Sequence, residues 1–428
     1  MSQEAEPLHS GDTRFVRRDG RLTCEEVDLT DLAQRFGTPL YVYSKRSILE
    51  ALGQYLAALD GRPSLVCYAV KANPNLGVLS LLARAGSGFD IVSGGELARV
   101  LAAGGAASRV VFSGVGKTRP ELEAALQAEI LCFNVESEFE LQDLSSVAAA
   151  LGRRAPVSLR VNPEIDAGTH PYIATALKSS KFGVSYADAF ELYRRAQADP
   201  HLRVVGIDCH IGSQISQVTP MEQAVDRLLD LVDRLQREGV QLHHVDLGGG
   251  LGIAYRDETP PTIGEWIGAI TRRVDARGHR DKTLLVEPGR SIVGPAGLLL
   301  TRVIGLKARD GGNFAIVDAA MNDQMRPALY GAWVKVEAVE LRDLPPRTYD
   351  IVGPICESGD WLARERPLAV HRGDLLAMLG TGAYGMSMAS TYNSRCRAAE
   401  VIVDGHEVHC VRRRETIDGL MADESMLP

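Results

Sequence analysis

From residue 64 to residue 289 short apolar runs alternate with longer amphipathic ones, and that rhythm leaves few ways to fold. Residues 65–70, 88–92, 109–113, 130–135, 157–161, 204–211, 243–247 and 284–287 are rich in β-branched and apolar side chains and read as strands. Between them, residues 95–103, 119–127, 137–151, 186–198, 220–238 and 264–277 repeat apolar residues every three or four positions, as helices do. Ala189, Leu192, Tyr193 and Ala196 mark one such face. Strand–helix alternation of this length implies right-handed crossovers and parallel strands. About eight strands is the number that closes a (β/α)8 barrel. A doubly wound open sheet is the competing arrangement.

After residue 295 the texture changes. Residues 298–303, 314–317, 334–341, 349–352, 368–370, 375–379 and 398–403 read as strands with few helical intervals. Asp404-Gly405 and Asp19-Gly20 are hairpin signals at opposite ends of the chain. A length of 428 residues favours two domains. The expected division is an α/β barrel over residues 39–291 and a second, mostly antiparallel β-barrel or sandwich domain from both chain ends, 1–38 and 292–428.

A net charge of −8 with no clustered basic face argues against nucleic acid as a partner. Arg412-Arg413-Arg414 reads as a solvated strand end. Seven cysteines, an odd number without metal or redox spacing, suit a reduced, cytoplasmic chain. The first residues lack a signal-peptide pattern, and no apolar stretch is long enough to span a bilayer.

In a barrel the active site lies at the C-terminal ends of the strands, and the unusual polar residues of this chain fall there. Lys71 closes an apolar run. Either it merely reaches solvent, or it is a partly desolvated amine of the kind that forms Schiff bases. Asp90 lies in the second strand, Arg160 and Asn162 end the fifth, and His210 and Ser213 follow the sixth. Gly248-Gly249-Gly250 follows Val245-Asp246-Leu247. It is either a tight turn or a place where backbone N–H groups approach a phosphate. Its spacing is not the dinucleotide fingerprint. Glu287-Pro288-Gly289-Arg290 ends the eighth strand: a surface ion pair, or a carboxylate for a pyridine nitrogen and a fork for an anion. His210 is a core histidine or a ring that stacks on another. His243 and His244 are neighbours in a strand and face opposite sides, so no metal site is expected. A lysine nucleophile, a phosphate cradle, an acid for a pyridinium and a stacking ring together describe a pyridoxal phosphate site.

With these residues in hand the chain resembles the diaminopimelate decarboxylases, in the alanine-racemase-like and ornithine-decarboxylase-like group of pyridoxal phosphate enzymes. The resemblance runs from about Gly37 to about Ala398 and rests on Tyr68-Ala69-Val70-Lys71-Ala72-Asn73, residues 88–97, His210-Ile211-Gly212-Ser213-Gln214, Gly248-Gly249-Gly250 and Glu287-Pro288-Gly289-Arg290. These motifs are shared across the group. The substrate signal lies in Met321-Asn322-Asp323, Arg326-Pro327-Ala328-Leu329-Tyr330, Gly353-Pro354-Ile355-Cys356-Glu357-Ser358-Gly359-Asp360 and Gly380-Thr381-Gly382-Ala383-Tyr384-Gly385.

The resemblance implies pyridoxal 5'-phosphate bound through Lys71, with Asp90, His210, Ser213, Gly248, Gly249, Gly250, Glu287, Pro288, Gly289, Arg290 and Tyr384 around it. It implies that Arg290, Arg326 and Tyr330 hold a substrate carboxylate, that Glu357 holds an amino group, and that Tyr384 also touches substrate. Cys356 would be the general acid that protonates the carbanion; a buried apolar thiol is the other reading. The implied reaction is decarboxylation of meso-diaminopimelate to L-lysine, the last step of lysine biosynthesis, by a homodimer whose Cys356 and Glu357 enter the partner's site. A lysine, ornithine, arginine or carboxynorspermidine decarboxylase is the rival on the same scaffold. A catalytically silent regulatory homologue and a phosphate-sugar barrel enzyme are rivals of other classes.

Overall fold

The computed structural model describes residues 6–9, 12–166, 180–309 and 312–428. The chain divides into two compact units, one of residues 51–253 and 259–291, the other of residues 1–50, 254–258 and 292–428.

The first unit is a closed parallel barrel. Its strands are Ser64–Ala69, Gly88–Ile91, Val110–Phe112, Cys132–Val135, Ala155–Asn162, Leu202–Asp208, His244–Asp246 and Thr283–Val286. Each pairs in parallel with the next, and the eighth pairs with the first, Leu285 opposite Leu65. Closure bears out the expected (β/α)8 barrel and rules out the competing open sheet. Every residue of Ala155–Asn162 is buried, as a parallel strand covered on both faces must be. Leu65, Cys67, Val111, Cys132, Val205 and Leu285, from five different strands, form one apolar cluster. Such residues meet only inside a barrel, which is filled rather than hollow.

The helices form where the periodicity places them and stop for local reasons. Arg119–Gln127 and Tyr186–Ala198 have the expected bounds. Thr262 and Glu265 make a reciprocal capping box for Ile263–Ala276. Ala189, Leu192, Tyr193 and Ala196 are buried, and the Tyr193 hydroxyl donates to Gly206 O at 2.7 Å while accepting from Leu159 N–H at 3.2 Å. One buried phenol thus stitches a helix to the fifth and sixth strands. Lys45–Ala58 and Leu76–Arg84 are helices that the sequence reading did not assign.

The second unit is mostly antiparallel. Its main sheet runs in the order Trp361–Leu368, Arg347–Val352, Gly312–Val317, Gly297–Arg309, Leu40–Ser44, Ala399–Asp404, Glu407–Arg412. Lys335–Ala338 joins through Leu375–Leu379, which pairs with Gly297–Arg309. The N-terminal segment adds four short antiparallel strands ending at Val27–Asp28. Phe15, Leu22, Leu40, Val42, Leu298, Leu300, Leu375 and Val401 share one core, so both chain ends build it. Leu40–Ser44, expected within the barrel span, is instead a central strand of this sheet, paired on one side with Gly297–Arg309 and on the other with Ala399–Asp404. Its five residues are all buried, and two strand partners satisfy its backbone.

Arg412 and Arg414 are not simply solvated. Arg412 pairs with buried Glu400, and Arg414 donates to Pro39 O at 2.6 Å and to Phe36 O at 3.2 Å. Among the described residues no helix is long and apolar enough to cross a membrane.

Candidate functional site

The barrel gathers its polar residues at one rim. The turn Val70–Ala72 follows the first strand and carries Lys71. The Tyr68 hydroxyl donates to Asn73 O at 3.1 Å and closes that turn from beneath, while Ala69 N–H donates to Pro288 O at 3.0 Å and ties it to the loop after the eighth strand. Lys71 Nζ lies 2.5 Å from Asp90 Oδ2. The Lys71 side chain is 36 % exposed and so partly desolvated, whereas Asp90 is fully buried. A buried carboxylate and a partly exposed amine form a pair in which the acid fixes where the amine stands.

Glu96, which the sequence reading placed at the rim within residues 88–97 but gave no role, completes this corner. Its carboxylate accepts from Val92 N–H at 2.7 Å. Burial pushes it up to about 7, against the N–H of Val92 and the charge of Lys71, which pull it down.

The loops after the sixth, seventh and eighth strands interlock. Gly249 N–H donates to His210 Nδ1 at 3.2 Å. That bond requires an unprotonated Nδ1, and burial together with Arg160 and Lys71 keeps the imidazole pKa well below its usual value. Glu287 N–H donates to Gly248 O at 2.7 Å. A Cβ at Gly249 would strike the Glu287 carbonyl oxygen, and Gly250, at φ +105, is in a conformation side chains disfavour. The three glycines therefore allow a close approach of backbone. Arg290 Nη2 donates to Ser213 Oγ at 2.9 Å, so a guanidinium and a hydroxyl stand together as an anion's partners would.

Beneath the rim lies a cluster of acids. Asp208, Asp246 and Glu287 are buried, and each offers an oxygen within 4.8 Å of the others'. Arg160 Nε is 4.0 Å from Asp208 Oδ2, and its Nη1 is 3.2 Å from Glu136 Oε1. Burial first, then the charge of Asp246, pushes Asp208 and Glu287 well up; burial also takes Asp246 to about 7, against the N–H of Gly248, which pulls it down. Asp208 and Asp246 were not singled out from sequence. The available signal was an acid inside an apolar strand, Ile207-Asp208-Cys209 and Val245-Asp246-Leu247. His243 is exposed and His244 buried, in line with opposite faces. His244 Nε2 is 3.7 Å from Cys132 Sγ, and burial lowers the ring to about 4.

The remaining candidates lie in the second unit. Arg326 and Tyr330 are one turn apart in the helix Arg326–Tyr330 and so share a face. Arg326 is buried, its guanidinium 4.5 Å from the centre of the Tyr255 ring. Tyr384 is half-buried and has φ +56, a conformation that costs a non-glycine residue roughly 1–3 kcal/mol and tends to occur at functional sites. Cys356 and Glu357 are exposed, which excludes the buried-thiol reading. Their loop is pinned by its backbone. Asp360 accepts from Met321 N–H at 2.6 Å and Ile355 N–H at 2.8 Å, and Cys356 N–H donates to Asn393 Oδ1 at 2.9 Å.

The barrel rim fits pyridoxal phosphate on its own chemistry. Glu287 Oε1 is buried and, among the described residues, has no hydrogen-bond partner, as an acceptor awaiting a ring N–H would be. The amine of Lys71, the neutral ring of His210 and the Arg290–Ser213 pair supply the other contacts the group needs.

Comparison with known proteins agrees. Residues 45–294 match the family "Pyridoxal-dependent decarboxylase, pyridoxal binding domain". A diaminopimelate decarboxylase of Pseudomonas aeruginosa is 59 % identical over 414 residues, 97 % of this chain and 99 % of that protein. The crystal structure of diaminopimelate decarboxylase from M. jannaschii in co-complex with L-lysine superposes with a TM-score of 0.94 at 37 % identity, covering 98 % of this chain and 99 % of that one. The Helicobacter pylori enzyme complexed with L-lysine gives 0.88 at 41 % identity, covering 92 % and 98 %.

Proposed function

The chain belongs to the diaminopimelate decarboxylases of the pyridoxal-dependent decarboxylase family, and from that membership we infer that it converts meso-diaminopimelate to L-lysine and carbon dioxide. The observation that carries the cofactor half of this reading is the Lys71–Asp90 pair at the barrel rim, beside Glu287. The substrate half rests on the near full-length identity to diaminopimelate decarboxylases.

When bound, pyridoxal phosphate supplies the electron sink that lets a carboxylate leave an α-carbon. Lys71 Nζ would hold the cofactor covalently, with Asp90 setting its position. The backbone of Gly248, Gly249 and Gly250, with Ser213 and Arg290, would hold the phosphate. Pro288 and Gly289 shape the turn that brings Arg290 there: the Pro288 carbonyl binds the first strand, and Gly289 packs against Ala69 and Ala72. His210 would lie against the ring, and Glu287 would keep the ring nitrogen protonated, which strengthens the sink.

Arg326 and Tyr330, with Arg290, are assigned to a substrate carboxylate, Glu357 to the distal amino group and Tyr384 to both cofactor and substrate. A substrate with a carboxylate and an amine at both ends needs such a set. A simple diamine-forming enzyme does not need the second clamp. Cys356 is assigned as the acid that returns a proton to carbon. Its exposure, and that of Glu357, suits delivery to the site of a second copy in a homodimer. Seven unpaired cysteines fit a reducing compartment, the cytoplasm.

The test is product analysis. The purified protein, supplied with pyridoxal phosphate, is incubated in parallel with meso-diaminopimelate, lysine and ornithine. Lysine and carbon dioxide in equal amounts from the first alone is the expected result. Diamine from lysine or ornithine, without turnover of diaminopimelate, sinks the assignment.

A further inference from the structure

Asp246 is a buried carboxyl that the assigned chemistry leaves unused. Its Oδ1 accepts from Gly248 N–H at 3.0 Å. Among the described residues nothing hydrogen-bonds its Oδ2, nor Glu287 Oε1. The two side chains are in contact, with oxygens of Asp208, Asp246 and Glu287 all within 4.8 Å of one another. Arg160 engages Asp208 and Glu136, and Lys71 acts on Glu287 from the rim. Two carboxylates that meet in a dry core without a cation between them cannot both be ionised. One proton turns the meeting of two acceptors into a hydrogen bond.

We propose that Asp246 is a positioning residue that holds this proton once the cofactor is bound and donates it to Glu287, so that Glu287 stands ionised and aimed at the cofactor's ring nitrogen. The inference rests on the reading of the barrel rim as a pyridoxal phosphate site. The proton's place follows from what each acid meets. A ring N–H arriving beside Glu287 favours Glu287 as the carboxylate. Asp246, with Gly248 N–H and the Asn134 side chain already beside it, gains no new partner when the ring arrives, so the proton is best kept there. Without the cofactor the pair shares one proton that Glu287 holds, pushed well up by burial and by Asp246, while Asp246 stands at about 7; the arriving ring N–H is what shifts the proton to Asp246.

The roles are separable because asparagine copies a protonated aspartate. In Asp246→Asn the side-chain oxygen still accepts from Gly248, and the amide donates to Glu287. Asp246→Ala removes both bonds. The experiment titrates cofactor-free protein with pyridoxal phosphate and follows the absorbance of the lysine-bound form. A second titration uses the analogue with carbon in place of the ring nitrogen, and thermal melts are run on each cofactor-free variant.

Asp246→Asn should bind the cofactor within about threefold of the original chain, and Asp246→Ala should bind it about 10- to 100-fold more weakly. With the carbon analogue the Asp246→Ala loss should largely vanish, which a merely structural defect would not allow. If Asp246→Ala does not fold, Asp246→Ser, which keeps an acceptor for Gly248, takes its place. Asp246→Asn as weak as Asp246→Ala would mean Asp246 acts as an anion, and would overturn the proposal. So would Asp246→Ala equal to the original, or a loss that persists with the analogue. An original chain that takes up no cofactor overturns the rim reading itself, and is recognised before any variant is made.

Discussion

The barrel rim and the loop of residues 353–360 hold reactive groups in opposite ways. At the rim the polar side chains are themselves the scaffold: Asp90 is buried and fixes Lys71, Arg290 bonds Ser213, and Gly249 bonds His210. In the loop the side chains proposed to act, Cys356 and Glu357, are exposed and the scaffold is the backbone, clamped by Asp360 and Asn393. Burial makes the rim a place of displaced pKa values, with Glu96 and Asp246 at about 7. The loop leaves its side chains free to act on whatever is presented to them. The lesson is that the rim suits permanent grip on a cofactor and the loop suits a step taken once per turnover.

Substitutions at the two places should therefore fail differently. Lys71→Ala carries the largest expected effect, a fall in carbon dioxide release on the order of a thousandfold or more, because both cofactor retention and the reacting amine go together. Loss of the lysine-bound absorbance should accompany it, and a variant that kept that absorbance would break the contrast. Cys356→Ala should lower kcat by about a hundred- to ten-thousandfold while the cofactor's spectrum stays as it was. A changed spectrum would mean that the loop serves cofactor binding after all.

Glu357→Gln should act mainly on KM for meso-diaminopimelate, raising it about 10- to 100-fold, the range for losing a hydrogen bond to a charged group. An unchanged KM would remove Glu357 from the substrate's amine. The smallest effect concerns the barrel core below the rim. Burial lowers His244 to about 4, whereas an unfolded histidine titrates near 6.5. Between those values the unfolded chain binds the proton and the folded chain does not, so stability rises with pH across that window. His244's contribution is complete above about 6.5 and lost as pH falls towards about 4. The stability advantage of the original chain over His244→Asn, measured by denaturant titration, should shrink as pH drops through that range. An advantage that did not change with pH would mean that the ring is charged in the folded state.

The barrel was legible in the sequence because alternation of strand and helix is a long, redundant signal. All eight strand runs appear within a few residues of their expected ends. The second sheet was less so. Trp361–Leu368 contains Arg364, Glu365 and Arg366 and no clear apolar run, so only its last residue was assigned to a strand. Leu40–Ser44 is buried throughout and carried no sign of which sheet it joins, since pairing with Gly297–Arg309 spans most of the chain.

The site divides in the same way. Lys71, His210 and Glu287 were visible as polar residues where apolar strands end. Asp208 and Asp246 were missed, and Glu96 was given no role, because their importance lies in proximity to other groups, which closing the barrel creates. Cys356, Glu357 and Tyr384 had no local physical signal of their own and came from the family resemblance. The exposure of Cys356 and the left-handed backbone of Tyr384 emerge only in three dimensions.

The central claim is that the chemistry is anchored at the barrel rim through Lys71. Borohydride reduction of the cofactor-loaded protein, followed by digestion and mass spectrometry, reads that anchor directly. The account predicts one pyridoxyl phosphate per chain, on the peptide that contains Lys71, with Lys117 and Lys282 unlabelled in their buried bonds to Glu140 and Leu242 O. Label on another lysine, or none on a protein that still releases carbon dioxide, would contradict it.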